Sequence, residues 1–389
     1  MFMLRRDVAL IVGLWLLGRV IVFGGFITAV GSGWFEATNH WDASWYGQIV
    51  NHGYDYAADG KMHTIAFFPL YPLLATGLTR LGIIWPASGL LISNFAMLAA
   101  LFVAFKLIQQ WGTNEDARWS VAILALMPLA LFTSSAYAEP LFILLSACTL
   151  LLYTQARYGE CTLAGALTSA TRQFGALLAI AMIFDGLRQR RLTGAAAGAA
   201  SLLGCAAFAF YCWSKFGDPF AFASAQHAWR GGFGFVAAPW LAIIQRGIAG
   251  WRPLCHLGAA ALIAIVVIRR RMDLISVACG ATVIAVETWI WWYDTPTILL
   301  IGIGGLATLV FSRRIGATAV TYAVLAIAAL FVSGVPFSVD RATYTLIPVI
   351  AALGMLARRY PALGYPALVA MACALAVDAH TFALNQWVA

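Results

Sequence analysis

Charged residues are scarce in this chain of 389 residues, in which Asp, Glu, Lys and Arg together make up 10% and hydrophobic residues 62%. Soluble domains carry roughly 25% charged residues, so this chain lacks the side chains needed to cover a water-facing surface. Its mean hydropathy is +0.84, and apolar runs long enough to cross a hydrocarbon core of about 30 Å recur along its length. These features exclude a soluble enzyme or a soluble binding domain.

Paired cysteine motifs and metal-ligand clusters are also absent from the sequence. The seven cysteines are odd in number, form no CxxC pair and lie mostly within apolar runs. We interpret them as small core residues and expect no disulfide framework. Because no Asp/His cluster has ligand spacing, we expect neither a metal nor another cofactor. The strand alternation of a transmembrane barrel is missing as well.

The basic residues stand in short clusters between the apolar runs. The net charge of +8 could suggest a nucleic-acid partner, but such clusters are typical of the cytoplasmic loops of helical membrane proteins. We therefore expect no nucleic-acid partner. The clusters are Arg5 and Arg6; Arg188, Arg190 and Arg191; Arg269, Arg270 and Arg271; Arg313 and Arg314; and Arg358 and Arg359.

Placing these clusters on one side of a membrane predicts an all-α polytopic bundle of about 13 membrane helices. With a cytoplasmic N-terminus, residues 8–30 form a retained first span rather than a cleaved signal. Further spans are predicted at 88–109, 119–136, 140–156, 193–213, 254–268, 273–292, 297–312, 316–333, 342–357 and 366–385. The chain, 1–389, is then one integral-membrane domain.

Residues 162–187 do not fit a simple crossing, because the threading puts both of their ends in the cytoplasm. The polar stretch "TSATRQFG" also interrupts them. We therefore predict a re-entrant pair of short helices, with Thr171, Arg172 and Gln173 at the tip. Such broken helices occur where they are buried in protein or line a wet cavity.

Two outer loops follow from this threading, 31–87 and 214–253, and both have aromatic residues at helical spacing. We expect helices that lie along the membrane surface in these loops. In the first loop, Asn39 can cap a helix that begins near His40. A second helix is expected after Pro69.

Asp42 occupies the first turn of the predicted surface helix, next to Tyr46 on the same face. Spacing alone leaves Asp42 open between an acid that favours the helix dipole and a catalytic acid. It likewise leaves Trp45 and Tyr46 open between interfacial anchors and pocket walls. In the second loop, Gln226 to Arg230 could cover an acceptor or form a solvated face.

Two arginines, Arg172 and Arg341, lie at or within apolar segments on the predicted outer side. A charge at mid-bilayer costs at least ~2.5–3.5 kcal/mol on insertion scales, so each is a candidate functional residue. The planar guanidinium also suits phosphate oxygens. The alternatives are a structural ion pair for Arg172 and a first-turn pairing with Asp340 for Arg341.

Several segments resemble the PIG-V family of mannosyltransferases and its bacterial relatives. "HWDASWYGQIVNHGY" followed by "AFFPLYPLL" is similar to the first luminal loop of that family. Four later segments resemble further segments of that family and occur in the same order: "FTSSAYAEPLF", "ALTSATRQFGALL", "WSKFGDPFAFASAQHAW" and "VDRATYTLIPVIAALGML". Together these segments extend across residues 40–357.

The resemblance implies a GT-C fold, in which multi-span glycosyltransferases use a polyprenyl-phosphate sugar at an outer or luminal active site. It further implies transfer of mannose, or a similar hexose, with inversion at the anomeric carbon. The acid expected as catalytic base corresponds to Asp42, while Arg172 and Arg341 would bind the donor phosphate. The sugar and acceptor pocket would be formed by His40, Trp45, Tyr46, His63, Tyr137, Glu139 and Gln226.

The expected partners are a polyprenyl-phosphate sugar, membrane lipids and an acceptor. The acceptor could be a glycolipid, a protein or a glycan. A transporter or flippase of a lipid-linked sugar would share the bundle and the buried arginines. A non-catalytic membrane subunit would use the outer aromatics for docking. The long first outer loop favours the enzyme, and no paired halves typical of transporters are visible. Compact loops favour a bacterial plasma membrane.

Overall fold

The computed structural model describes residues 4–232, 234–249, 297–334 and 338–388. The named elements of these ranges are all helices, and an isolated bridge joins Gly234 to Ser333. The all-α prediction is therefore confirmed for the described part of the chain. The predicted spans at 254–268 and 273–292, the cluster at Arg269 to Arg271 and the end of the second outer loop lie outside the described residues.

The helices follow one another with short connections. The first ten are α1 Arg5–Val30, α2 Trp34–Ala37, α3 Asp42–His52, α4 Leu70–Arg80, α5 Ala87–Trp111, α6 Asn114–Leu126, α7 Glu139–Thr154, α8 Tyr158–Thr171, α9 Phe174–Arg188 and α10 Leu192–Ser201. The next are α11 Leu203–Phe216, α12 Ala221–Arg230, α13 Ala237–Ala249, α14 Gly305–Val310, α15 Ser312–Ile315, α16 Ala317–Phe331, α17 Val339–Tyr344, α18 Ile347–Arg359 and α19 Pro361–Ala383. A π-helical turn, Ile298–Gly304, precedes α14.

Four helical stretches of the described residues are long and apolar enough to cross a membrane: Arg5–His52, Ala87–Trp111, Leu192–Phe216 and Pro361–Ala383. The chain is an integral membrane protein. Three further apolar helices, Glu139–Thr154, Ile298–Val310 and Ala317–Phe331, are shorter. The predicted number of about 13 membrane helices is not confirmed, because most of the other helices fall short of the length that a core of about 30 Å requires.

The centre of the bundle consists of α6, α7 and α18, in which most residues are buried. At one end of α6, Asp116 forms a capping box with Thr113. The carboxylate of Asp116 also contacts the guanidinium groups of Arg314 and Arg358, at 3.3 and 3.2 Å. Two of the predicted cytoplasmic arginine clusters therefore meet at the same end of the bundle.

The predicted break after Thr171 is confirmed. Helix α8 ends at Thr171, Arg172 is extended with φ −155° and ψ 151°, and α9 begins at Phe174. With 14 and 15 residues, the two helices are only about 21–23 Å long at 1.5 Å per residue, shorter than a bilayer core of about 30 Å. Gly175 lies so close to α8 that a Cβ there would stand 2.6 Å from the Cα of Ser169.

Residues 31–87, which were predicted to form the first outer loop and keep that name below, contain α3 and α4 where the two surface helices were predicted. The prediction that Asn39 caps the first of them is wrong. Its Oδ1 accepts a hydrogen bond from the indole Nε1 of Trp85 at 2.6 Å, and α3 begins only at Asp42. The N-cap position is held by Trp41, in a left-handed conformation with φ +56°. Because the amide oxygen of Asn39 accepts this bond from Trp85, it does not cap α3.

Candidate active site

Four charged side chains form a continuous chain of ion pairs at the start of α3. The Nη2 atom of Arg341 lies 2.5 Å from Oδ2 of Asp42, and its Nε lies 3.2 Å from Oε1 of Glu139. The same Glu139 oxygen pairs with Nη1 of Arg172. The side chains of Glu139 and Arg341 are 1% and 7% exposed. Because a buried charge is stable only with a partner of opposite charge, the position of each of these side chains depends on the others.

Arg341 is held in place from two directions. It lies on the short helix α17, and its guanidinium stands 5.1 Å from the ring centre of Phe132 and 5.5 Å from that of Tyr137. Such cation–π contacts fix the plane of the group. Its buried Nη1 has no hydrogen-bond partner among the described residues. An unsatisfied buried N–H of a cation is a site for an anion.

A cavity of ≈ 90 Å³ opens onto this charged chain. Five of the predicted site residues line it: Asp42 and Tyr46 from α3, Arg172 from the break between α8 and α9, Gln226 from α12 and Arg341 from α17. These elements are far apart in the sequence. The cavity therefore exists only because the two outer loops and the broken helix pair meet at one end of the bundle.

Glu139 and Tyr137 are fully buried and lie behind the cavity wall rather than in it. The hydroxyl of Tyr137 donates to the backbone oxygen of His40 at 3.0 Å, and Nδ1 of His40 lies 3.0 Å from the backbone oxygen of Phe382. These contacts attach the residues just before Asp42 to the bundle. His40 and Tyr137 thus position the start of α3.

Trp45 also stands behind the cavity. Its ring lies 6.2 Å from that of Phe67 and 5.5 Å from that of Trp229, and it is these two partners that line the cavity. Tyr46 also makes an edge contact with Phe67, at 5.0 Å. Aromatic side chains therefore line the cavity, with Trp229 among them and Trp45 not.

His63 does not line the cavity, although it is among the residues predicted for the sugar pocket. Its Nδ1 lies 2.6 Å from Oδ2 of Asp55 and its Nε2 lies 2.8 Å from Oδ1 of Asp59. The hydrogen bond with Asp55, followed by that with Asp59, raises the pKa of His63. The contact with His63 also lowers the pKa of Asp59. The group closes the hairpin-like segment between α3 and α4.

Two residues that the sequence left open between covering an acceptor and forming a solvated face, Trp229 and Arg230, line the cavity. They share a helix face with Gln226, three and four positions earlier, because residues at this spacing are neighbours on α12. That spacing could have identified them once Gln226 was chosen. Ser338, before α17, also lines the cavity and had no sequence signal.

A comparison with protein families finds that residues 15–191 match the model of the mannosyltransferase (PIG-V) family. The matched region includes α3 and the break at Arg172. It contains three of the four residues of the charged chain, namely Asp42, Glu139 and Arg172. The predicted resemblance is confirmed, and the matched region covers less than half of the chain. No curated protein matches the chain.

Among solved structures, the chain is similar to the oligosaccharyltransferase of Archaeoglobus fulgidus. The apo crystal structure has a TM-score of 0.54 at 12% identity, with 98% of this chain and 56% of that chain covered. The crystal structure tethered to an acceptor peptide containing the NVT sequon has a TM-score of 0.54 at 13% identity, covering 96% and 55%. This chain therefore shares the fold of that oligosaccharyltransferase and spans about half of its length.

Proposed function

We propose that this protein is an integral-membrane glycosyltransferase. It moves a mannose-like hexose from a polyprenyl-phosphate donor to an acceptor hydroxyl, with inversion at the anomeric carbon and with Asp42 as general base. The observation that carries this proposal is the pairing of Asp42 with Arg341 at the wall of one cavity. An acid and cations are the two components that the transfer needs side by side.

Asp42 is suited to accept the proton of the acceptor hydroxyl. As the acceptor oxygen bonds to the anomeric carbon, the proton moves to the carboxylate and the bond from that carbon to the phosphate oxygen breaks. A general base of this kind contributes about 10²–10⁴-fold to rate. By analogy with glycosidases, a carboxylate also stabilises the oxocarbenium-like transition state. The ion pair with Arg341 orients the carboxylate of Asp42.

The electron pair of the broken bond leaves on the polyprenyl phosphate, whose negative charge grows during the reaction. Arg172 and Arg341 both line the cavity, and Arg341 has an unpartnered Nη1. Preorganised cations at such a position stabilise the transition state without reorganisation. Glu139 keeps these two arginines together, because without its charge they would repel each other. These two cations are the groups that we assign to the charge of the leaving phosphate.

The hexose fits the aromatic and amide side of the cavity. Phe67 and Trp229 supply flat apolar faces, and Nε2 of Gln226 donates to the backbone oxygen of Ala66 at 3.0 Å, which fixes the amide in the wall. Pockets for small polar ligands combine such apolar walls with a few placed polar groups. Trp45 packs against Phe67 and Trp229 from behind, while His40 and Tyr137 hold the start of α3.

A lipid-linked donor is further supported by a second, apolar cavity of ≈ 530 Å³ on α3, α4, α8 and α11. It is lined by Ile49, Pro69 and Ala170, each of which is within three positions of a residue that lines the charged cavity. A hydrocarbon chain can therefore lie beside the same elements that hold its phosphate. We place this end of the bundle on the outer face of the membrane, with the N-terminus in the cytoplasm.

The test is turnover by the purified protein, given radiolabelled polyprenyl-phosphate mannose and a membrane lipid extract. Asp42→Asn should lower formation of labelled product by at least ~10²-fold. The matched control is Asp59→Asn, which changes an exposed acid of the same outer loop and should leave turnover unchanged. Full turnover in Asp42→Asn would remove Asp42 as the base. Labelled donor that crosses a vesicle membrane without any product would favour a transporter.

A further inference from the structure

Arg230 is the charged residue of the cavity lining to which the proposed reaction gives no role. It ends helix α12, and its guanidinium lines the cavity together with those of Arg172 and Arg341. Burial, followed by the nearby positive charges of Arg172 and Arg341, lowers the pKa of Arg230 to about 10. Arg230 therefore remains a cation at neutral pH, although its surroundings disfavour the charge.

Cations outnumber carboxylates in the lining of the cavity, where Arg172, Arg230 and Arg341 stand beside Asp42. Asp42 and the buried Glu139 pair with Arg172 and Arg341, whereas the hydrogen bond found for Arg230 goes to the neutral Oγ of Ser333, at 2.6 Å from Nη1. A phosphodiester, which has one negative charge, would place an anion opposite this third guanidinium group.

The backbone holds Arg230 at the cavity independently of its side chain. Gly234 N–H donates to the backbone oxygen of Val332 at 2.8 Å, and Gly334 N–H donates to that of Gly234 at 3.3 Å. Gly334 has φ +86°, and a Cβ there would lie 2.2 Å from the backbone oxygen of Arg230. The second outer loop is therefore docked tightly on the segment that leads to α17.

We propose that Arg230 is a third ligand of the donor phosphate, contributed by the second outer loop. This inference rests on the proposed function, and it assigns to α12 the recognition of the phosphate rather than of the acceptor. The guanidinium of Arg230 binds a phosphate oxygen when the donor enters, while Arg172 and Arg341 keep their contacts with Glu139. The donor thereby connects the second outer loop to the broken helix pair.

The experiment measures binding of undecaprenyl phosphate, without any sugar, to the purified full chain in detergent. Arg230→Gln should weaken this binding by about tenfold or more, since a hydrogen bond between charged groups is lost. Arg230→Lys should retain an intermediate affinity, because a point charge replaces the planar fork. Lys215→Gln, which removes an exposed cation outside the cavity at the end of α11, is the matched control and should bind as the wild type does.

Ser333→Ala separates phosphate binding from a purely structural role. It removes the hydroxyl partner of Arg230 but keeps the guanidinium, so undecaprenyl phosphate should bind within about twofold of wild type. Raising the salt concentration should weaken binding less in Arg230→Gln than in wild type, because one screened charge contact is missing. Wild-type affinity in Arg230→Gln, or an equal loss in Ser333→Ala, would overturn the proposal.

The outcome is independent of turnover. If wild-type protein binds undecaprenyl phosphate through Arg230 but transfers no mannose, the proposed reaction is wrong and the phosphate site stands. If it transfers mannose but Arg230→Gln binds the lipid phosphate normally, the reaction stands and the assignment of Arg230 is wrong. If Arg230→Gln does not elute as a single species, the Arg230→Lys variant and its salt dependence decide.

Discussion

Asp42 and Arg341 are 299 positions apart, and their side chains meet at 2.5 Å. The pair joins the first outer loop to the short helix α17, and Glu139 connects it to Arg172 at the break between α8 and α9. An acid for the acceptor proton and cations for the phosphate are thus parts of one network. Replacing any one of these side chains should therefore change the interactions of the side chains paired with it.

Arg172→Ala should mainly raise the donor concentration needed for half-maximal turnover. The guanidinium lines the cavity, and its loss removes one charge-assisted hydrogen bond, worth about 1.5–3 kcal/mol. This corresponds to a roughly tenfold or larger change in donor dependence. Initial rates at varied concentrations of polyprenyl-phosphate mannose provide the measurement. An unchanged donor dependence would place Arg172 outside the phosphate site.

Glu139→Gln should destabilise the protein strongly. It leaves Arg172 and Arg341 without their shared buried carboxylate, and breaking a buried ion pair costs about 3–5 kcal/mol. Thermal unfolding in detergent should show a lower midpoint. The matched control is Glu115→Gln, since Glu115 pairs with Arg118 at the surface and is 55% exposed. Equal midpoints for the two variants would contradict the network.

Gly175→Ala should lower turnover because it forces apart the two short helices around Arg172. The added Cβ would lie 2.6 Å from backbone atoms of Ser169 and Thr168, which cannot move independently of α8. Overpacking of this kind typically costs 1–3 kcal/mol. Gly159→Ala, in the same helix pair and with nothing within 4 Å of the new Cβ, should be active and stable. Similar activity in both variants would show that the break tolerates displacement.

The segment around His63 should have a pH-dependent stability. The pKa of His63 is raised by its hydrogen bonds to Asp55 and Asp59, so this stabilisation is complete below the ordinary His value of 6.5 and is lost as the pH rises through the raised pKa. Although partial burial raises the pKa of Asp55, hydrogen bonds from Thr64 and His63 lower it overall. The carboxylate contribution is therefore lost as the pH falls through the lowered pKa.

Limited proteolysis between residues 55 and 64 at a series of pH values measures this effect. Protection should fall in the wild type as the pH rises above 6.5 and through the raised pKa of His63, and His63→Ala should remove that fall. His52→Ala, which changes an exposed histidine at the end of α3, should behave like the wild type. Identical profiles for wild type and His63→Ala would show that the bridge between the two aspartates contributes nothing.

Features that depend on neighbouring residues were predictable. The apolar runs identified a membrane protein, and "TSATRQFG" identified the break that the structure has at Arg172 and Gln173. The outer helix with Asp42 in its first turn followed from local polarity. Its cap did not, because the indole of Trp85, 46 positions later, takes the Asn39 side chain.

By itself, the sequence determined the membrane environment, the helical class, the broken helix pair and the acid and cations worth considering, since composition and local spacing decide these. Only the tertiary structure decided which of them meet. It pairs Asp42 with Arg341, and it pairs Glu139 with both Arg341 and Arg172. It bonds His63 to Asp55 and Asp59, and it brings Arg230 to the cavity. The physical reason is that a contact across hundreds of residues depends on how the helices pack, and spacing along the chain contains no measure of that distance.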